Sequence, residues 1–163
     1  MDAMTVLTTR RSVRKYKPDP VSRELLEKIV DAGRLAPSAR NIQPWSFVVV
    51  TDPATRKRIA DITEHGKFIA DAPACIVVLS EDTKYYLEDG SAATTNICNA
   101  AAALGLGSCW VAGDKKPYAP DIVAACGAPA DLKLIASISI GYAVEVPSPA
   151  KKTLAEVAHW EKW

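Results

Sequence analysis

The sequence predicts a single folded domain, residues 1–163, in which the strands form a sheet and helices cover both of its faces. A chain of 163 residues can bury one sizeable core and is too short to favour two. Apolar residues make up 48% and charged residues 24%, as in ordinary globular proteins, which argues against a disordered or fibrous chain. Continuous apolar runs of strand length alternate with helical patterns, and such strands are typical of a sheet buried on both faces.

The first helix and the first strand follow a polar N-terminal segment. Ser22 is predicted to cap a helix that runs to about Ala36 and ends before Pro37. The β-branched run at 46–52 predicts the first strand.

Asp52 and Pro53 supply the N-cap and the first position of a second helix. The apolar run 73–80 predicts the next strand, and a long helical segment follows from about 82 to 104 before Gly105 ends it. This segment has an unusual face of mostly small side chains at helical spacing, which predicts a close contact with another helix, within one subunit or between two. Its residues are Ala92, Ala93, Asn96, Ile97, Ala100, Ala101 and Leu104.

Two further strand-like runs, 107–113 and 132–143, are separated by a predicted helix at 119–125. The C-terminal tail, about 147–163, carries Trp160 and Trp163. Two tryptophans at a chain end need a surface to bury against, and a partner subunit would provide one.

Several classes of function lack support in the sequence. No apolar stretch is long enough to span a membrane and the N-terminus lacks the pattern of a signal peptide, so we expect a cytoplasmic protein. The four cysteines form no C-x-x-C pair and there are only two histidines, so we expect buried reduced thiols and no metal site. The segment GLGSCW has Trp110 where a dinucleotide fingerprint needs its third glycine, and no phosphate-binding or nucleophile motif is present.

The segment TTRRSVRKYKPDP places five cations within positions 10–17, on a chain whose net charge is only +1. A solvated charged segment is one explanation. Nucleic acid is disfavoured by the nearly neutral total and by the lack of a second basic stripe. A small phosphate fits better, because arginines offer forked donors for phosphate oxygens, and Ser12 adds a hydroxyl between them.

The loop APSARNIQPW, residues 36–45, has a rigid backbone and three polar side chains close together. Pro37 and Pro44 restrict the chain, while Ser38, Asn41 and Gln43 can donate and accept hydrogen bonds. Such a loop suits the edge of a flat heterocycle. An ordinary connection whose side chains bond their own backbone is the alternative.

The chain contains RRSVRKY near its start, APSARNIQPWSFVVV about 25 residues later, the helical stretch LEDGSAATTNICNAAAALGLGSCWVAG, and the ending IGYAVEVPSPAKKTLAEVAHWEKW. In this order, the four segments resemble the nitroreductase family of FMN-dependent oxidoreductases over nearly the whole chain. The resemblance implies an α+β fold with a mostly antiparallel central sheet flanked by helices. It also implies an intertwined homodimer in which both subunits line each of two FMN sites and the tail packs on the partner.

The resemblance also implies roles for residues at matching positions. Arg10, Arg11 and Ser12 match contacts to the phosphate and the ribityl chain of FMN, and Arg14 matches a cation beside the pyrimidine edge of the ring. From the other subunit would come the loop residues Pro37, Ser38, Ala39, Asn41 and Gln43.

Further matches lie later in the chain. Val111, Ala112 and Gly113 match the segment that passes the reactive edge of the flavin, where a backbone N–H bonds N5. Lys152, and less directly Lys151, matches a C-terminal phosphate ligand. The small-residue helix face would be the dimer spine.

The chain also departs from the family pattern. It leaves little room for the helical excursion that covers the active site in longer members. The usual pyrimidine contacts would fall at 65–68, where only Lys67 resembles them. Arg40 is a charge that many relatives lack, and it is either a contact for the phosphate of the nicotinamide nucleotide or an ordinary surface residue.

The implied activity is ping-pong electron transfer from NADH or NADPH through FMN to a nitroaromatic, a quinone or a related small acceptor. No catalytic side chain is expected, because the hydride chemistry belongs to the cofactor. A flavin-binding protein with a storage, flavin-breakdown or specialised reductive role is one alternative. A non-enzymatic anion-binding module is another.

Overall fold

The computed structural model describes residues 2–163, within which lie six α-helices and four β-strands. The helices are α1 (Ala3–Thr9), α2 (Arg23–Arg34), α3 (Pro53–Ile62), α4 (Tyr86–Ala103), α5 (Ala119–Ala125) and α6 (Leu154–Val157). The strands are β1 (Trp45–Val50), β2 (Ala74–Ser80), β3 (Gly107–Ala112) and β4 (Lys133–Gly141).

The four strands form one sheet in the order β1-β2-β4-β3, and every neighbouring pair is antiparallel. β2 and β4 occupy the centre, and all of β2 is buried. β3 lies at one edge, where part of its backbone is free to meet another segment or a ligand. The α+β class with a mostly antiparallel sheet is therefore confirmed.

Helices cover both faces of the sheet, as the apolar strands predicted. Because side chains alternate along a strand, Ile76 and Val78 of β2 face one side and pack in a cluster with α2 and α4. Cys75, Val77 and Leu79 face the other side and pack in a cluster with α3 and α5.

The predicted helix starts are confirmed at Ser22 and Asp52. The amide of Leu25 donates to Ser22 Oγ at 3.3 Å, and that of Thr55 donates to Asp52 Oδ2 at 2.8 Å. Each cap satisfies an N–H that the helix itself cannot pair.

Two helix starts differ from the sequence-based expectation. Helix α1 was not predicted from the sequence, and it is capped by Asp2, whose Oδ1 accepts from the amide of Thr5. α4 begins at Tyr86 rather than near 82, because the Thr83 amide donates to Glu81 O at 2.9 Å and turns the chain before the helix starts.

The small-residue face of α4 makes a close helix contact within the subunit. A Cβ added to Gly33 of α2 would lie 2.8 Å from Ile97 Cγ1, so the two backbones approach tightly there. Asn96 Nδ2 donates to Ala32 O at 3.0 Å across the same contact. A tight contact is confirmed, and a role of α4 between two subunits stays a prediction.

Among residues 2–163, none of the helices combines the length and the apolar character that a membrane crossing requires. The same residues contain no group of three or more His, Cys, Asp or Glu side chains arranged to hold a metal ion. Cys75, Cys98 and Cys109 are buried free thiols, as expected, whereas Cys126 is only half-buried.

Candidate cofactor-binding site

The basic segment 10–17 lies along the sheet rather than free in solvent. The Val13 amide donates to Ser108 O of edge strand β3 at 2.9 Å, and the Lys17 amide donates to Tyr142 O beyond β4 at 2.8 Å. The side chain of Val13, at the first of these anchor points, is buried. The backbone of the segment is therefore fixed, and its arginines project from a defined position.

A cavity of about 260 Å³ lies between the start of this segment and the start of β3. We call it the arginine cavity. Its lining residues are Thr9, Arg10, Arg11, Val13, Ala102, Gly105, Leu106, Gly107, Ser108, Ala143 and Val146.

The arginine cavity contains polar groups without partners. Arg11 Nη1 donates to Thr8 O at 2.9 Å and to Arg10 O at 2.8 Å, but its Nε is buried and has no hydrogen-bond partner within residues 2–163. Ser108 Oγ is likewise buried and unpaired there. Arg10 is half-buried and forms no ion pair with the described residues. Because buried polar groups are normally paired, these groups fit an anion such as a phosphate.

A second cavity, of about 200 Å³, lies further along β3. We call it the Arg14 cavity. Its lining residues are Arg14, His65, Phe68, Cys109, Trp110, Val111, Ala112, Lys116 and Tyr118. Ser108 lines the first cavity and Cys109, the next residue of β3, lines the second, so the two cavities lie along the same strand.

Arg14 supplies the Arg14 cavity with an uncompensated charge. Its guanidinium carbon lies 5.8 Å from the ring centroid of Phe68, a cation–π contact. No ion pair to Arg14 occurs in the described chain, whereas Lys116 on the same cavity pairs with Glu64 at 2.8 Å. Arg14 is therefore free to face an electron-rich edge of a ligand.

The end of β3 offers one backbone donor to the open edge. The Gly113 amide donates to Ile135 O of β4 at 3.0 Å. N–H groups of an antiparallel strand alternate in direction, so Val111 also points to β4 while the Ala112 N–H points away from it. Of the three residues expected near the flavin, Ala112 has the amide that can bind a ligand.

Cys109 lines the Arg14 cavity but is not suited to act as a nucleophile. Burial raises the pKa of its thiol, and the charge of Arg14 opposes this only in part. The protonated thiol is a poor nucleophile.

The loop 37–43 is exposed and has an uncommon backbone. Arg40, Asn41 and Gln43 have φ values of 53°, 56° and 55°, in the left-handed region that non-glycine residues rarely adopt. Ser38 holds the turn, because its Oγ accepts from the Gln43 amide at 3.0 Å. None of the expected contacts in this loop lines either cavity of its own subunit.

Three predicted lysines are not brought together with the arginines. Lys67 Nζ donates to Ala60 O at 3.1 Å and Asp61 O at 2.9 Å, which directs it to the end of α3. His65 and Phe68, its neighbours in the chain, line the Arg14 cavity instead. Lys151 and Lys152 are exposed and line neither cavity.

Asp89 is a residue near the candidate site that was not predicted from the sequence. This residue is 5% exposed, and its Oδ1 accepts from the Ala39 amide at 2.9 Å, which ties the loop 37–43 to α4. The signal in the sequence was a carboxylate beside the small-residue face of a helix. Its partner is 50 residues away and has no recognisable side-chain signature.

Comparisons with known proteins bear on the sequence and the fold of the chain. The model of the Nitroreductase family matches residues 7–66 and 63–142. A Methanothermobacter thermautotrophicus protein named "Putative NADH dehydrogenase/NAD(P)H nitroreductase" is 32% identical over 169 residues, covering 100% of this chain and 88% of the relative. The FMN-dependent nitroreductase of Clostridium difficile R20291 superposes with a TM-score of 0.91 at 31% identity, over 98% of this chain and 99% of that one. A Desulfovibrio desulfuricans protein solved in complex with FMN gives a TM-score of 0.88 at 29% identity, over 100% and 98%.

Proposed function

This chain belongs to the nitroreductase family, and from that premise we propose how its residues hold FMN and present it to NADH or NADPH and to an electron acceptor. It is an oxidoreductase of the nitroreductase type, with FMN as cofactor and NAD(P)H as electron donor. The resemblance drawn from the sequence is thus confirmed for the family and the class of activity. The acceptor that we propose is a nitroaromatic, a quinone or a related small molecule.

We assign the phosphate of FMN to the arginine cavity. Arg10 forms no ion pair with the described residues, and Arg11 keeps one buried N–H without an acceptor. Ser108 lines this cavity, and Ser12 is paired with it through the backbone without lining the cavity itself. Cationic and hydroxyl donors around one cavity are suited to phosphate oxygens.

We assign the flavin ring to the Arg14 cavity, and one observation carries this assignment. The free guanidinium of Arg14 lines the same cavity as Ala112, whose N–H points off the open edge of the sheet. A cation and a separate backbone donor can address two polar sites on one flat ring. Phe68 and Trp110, which line the cavity with them, provide apolar surface for the ring.

The chemistry that FMN supplies when bound is hydride transfer from the nicotinamide and electron transfer to the acceptor. The protein positions the ring and stabilises charge on it. Arg14 would stabilise negative charge at the pyrimidine edge, and the Ala112 N–H would orient the ring at N5. None of the lining side chains is required as a covalent catalyst, in agreement with the raised pKa of Cys109.

We further propose that the site is completed by a second subunit. Pro37, Ser38, Ala39, Asn41 and Gln43 line neither cavity of their own chain, which leaves this loop able to contribute to the site of a neighbouring one. The tail 147–163 exposes Trp160 and Trp163 almost fully, which favours its packing on the partner. In that position Lys151 and Lys152 would reach the phosphate. Cytoplasmic location stays part of the proposal.

The test begins with the purified protein and its colour. We expect a flavin absorbance spectrum, or uptake of added FMN, and a particle mass about twice that of the 17.5 kDa chain. The reduced nicotinamides should each be offered with a quinone and with a nitrofuran, in the absence of oxygen. Repeated turnover with at least one pair is the expected result.

Other outcomes would point to other functions. Flavin that is bound but reduced only once, or not at all, would indicate a storage role. A protein that takes up no FMN at any concentration would instead support a non-enzymatic anion-binding module.

A further inference from the structure

Asp89 is a buried carboxylate whose presence the packing of the subunit does not explain. Its Oδ1 accepts from the Ala39 amide at 2.9 Å, while Oδ2 is buried and has no partner within residues 2–163. Burying a carboxylate that accepts only one hydrogen bond is unfavourable. The position of Asp89 in the first turn of α4 lowers this cost only in part, through the helix dipole.

The segment that Asp89 holds is itself strained. Arg40, Asn41 and Gln43 all adopt left-handed backbone conformations, which are unfavourable for side chains with a Cβ. At its far end, the loop is anchored through Pro44, whose carbonyl accepts from the Glu81 amide at 2.9 Å. The bond from Ala39 to Asp89 fixes the near end. Strain of this kind persists where the surroundings impose it, and it concentrates at functional sites.

We propose that Asp89 is a positioning residue that acts on the flavin site of the other subunit. Its carboxylate holds the loop 37–43 in the strained form in which one subunit presents Ser38 and Asn41 to the FMN of its partner. Asp89 does not touch the cofactor and acts only through the Ala39 amide. This inference rests on the proposed function and on the proposed exchange of loops between subunits.

The first test separates positioning from stability. Asp89→Ala removes the acceptor of the Ala39 amide together with an unfavourable buried charge. We expect the melting temperature of the cofactor-free protein to be unchanged or raised, while the dissociation constant for FMN rises about 10-fold or more. Asp89→Asn keeps an acceptor for the amide and should restore binding to within about 3-fold of wild type.

A matched control lies on the same helix. Thr94 is fully buried and its hydroxyl donates to Gly90 O at 2.8 Å, within the helix rather than to the loop. Thr94→Ala should lower the melting temperature and leave the affinity for FMN unchanged. If Asp89→Ala behaves like this control, or if Asp89→Asn binds FMN no better than Asp89→Ala, the proposal is wrong.

The second test asks in which subunit Asp89 acts. Asp89→Ala and Arg14→Ala chains carrying different affinity tags are co-expressed, and the mixed dimer is purified through both tags. If each site combines Arg14 of one chain with the loop of the other, one site carries both defects and the other carries none. The mixed dimer should then show about half the turnover of wild type, well above either variant alone.

The outcomes distinguish the inference from its premise. A mixed dimer as inactive as its parents, beside an active wild-type dimer, would overturn the inference and the proposed exchange of loops, because both defects would act within one subunit, while the proposed flavin-dependent activity would stand. A wild-type protein that binds no FMN would overturn the proposed function and the inference with it.

Discussion

The hydroxyl of Tyr16 lies 2.6 Å from Ser139 Oγ and 2.6 Å from Val13 O, which joins the basic segment to the central strand β4. A carbonyl can only accept, so Tyr16 donates to Val13 O and the Ser139 hydroxyl donates to Tyr16. Arg14 lies between the two residues of the segment that this network fixes. Burial raises the pKa of Tyr16, so the phenol stays protonated and the network persists at neutral pH.

Removal of this phenol should displace Arg14 without changing any charge. Tyr16→Phe leaves Ser139 with one buried hydroxyl unpaired and should lower the free energy of unfolding by about 1–3 kcal/mol. FMN should bind several-fold more weakly, which a fluorescence titration would measure. Tyr85→Phe is the control, since Tyr85 is exposed and its hydroxyl makes no hydrogen bond within the described chain. Equal effects of the two substitutions would contradict a role for the network.

Arg14 is predicted to raise the reduction potential of the bound flavin. Its guanidinium favours negative charge on the reduced ring, so Arg14→Ala should lower the two-electron midpoint by about 30 mV for each ~1.4 kcal/mol of lost stabilisation. Spectroelectrochemical titration measures the shift. Arg34→Ala, which removes an exposed cation paired with Asp31, should leave the midpoint unchanged. A midpoint of Arg14→Ala that is unchanged or higher would refute this role.

Periodicity and capping predicted most of the secondary structure, because each depends on neighbours in the chain. The relative direction of two strands does not depend on neighbouring residues and could not be predicted in this way. A strand, a helix and a second strand are compatible with a parallel pair, yet β1 and β2 are antiparallel. The contact that holds the turn before β2 was not predicted either: Arg56 is a buried cation whose Nη1 donates to Ala70 O and Ala72 O. Nothing in the spacing indicates that contact.

The candidate site was predictable only in part, for a related reason. Arg10, Arg11 and Arg14 were found because charge clusters are visible in a sequence and match a family motif. The choice of Ala112 over Gly113 as the free donor depends on which strand neighbours β3. The direction of the Lys67 side chain depends on its contact with the end of α3, and the role of Asp89 depends on its contact with Ala39. Both contacts join separate segments and leave no pattern in the sequence.

Gly113 is predicted to be essential to the geometry at the end of β3. A Cβ at this position would overlap the buried Leu134 side chain, lying 2.5 Å from its Cδ2. Gly113→Ala should therefore cost about 1–3 kcal/mol of stability and shift Ala112, which weakens FMN binding. Gly127 is the matched control, because its φ is 64° and no atom lies within 4 Å of an added Cβ. Gly127→Ala should cost about 1 kcal/mol in urea unfolding and leave FMN binding intact.

Cys75 is predicted to make the protein less stable at alkaline pH. Burial raises its pKa from 9.0 to about 12, so the thiol stays protonated in the fold while the unfolded chain loses that proton above pH 9. Between pH 9 and about 12 the unfolded chain binds fewer protons at Cys75 than the folded protein does. The contribution of this thiol to the free energy of unfolding is therefore fully present below pH 9 and is lost as pH rises from 9 to about 12.

The size of the effect follows from the same relation. Between these pH values the free energy of unfolding should fall by about 1.4 kcal/mol per pH unit from this group. Urea unfolding at several pH values, compared with Cys75→Ala, measures the contribution as a difference in slope. A variant with the same slope as wild type would show that Cys75 does not titrate on unfolding.

The exposed tail is predicted to belong to the dimer rather than to the subunit core. Leu154, Val157, Trp160 and Trp163 are 76%, 56%, 84% and 100% exposed, so the subunit gains little from burying them. A chain that stops after Pro147 should keep its helical circular dichroism, while light scattering should show more monomer and FMN should bind more weakly.

A point substitution separates the two roles of this segment. Lys152→Ala keeps the apolar residues and should leave the dimer intact, but it should weaken FMN binding if the ammonium reaches the phosphate. The weakening should fall as salt is raised, because screening reduces the contribution of an exposed charge to the wild-type affinity. Truncation that leaves both the dimer and FMN affinity unchanged would show that the tail takes no part in the site, and the phosphate would then depend on Arg10 and Arg11 alone.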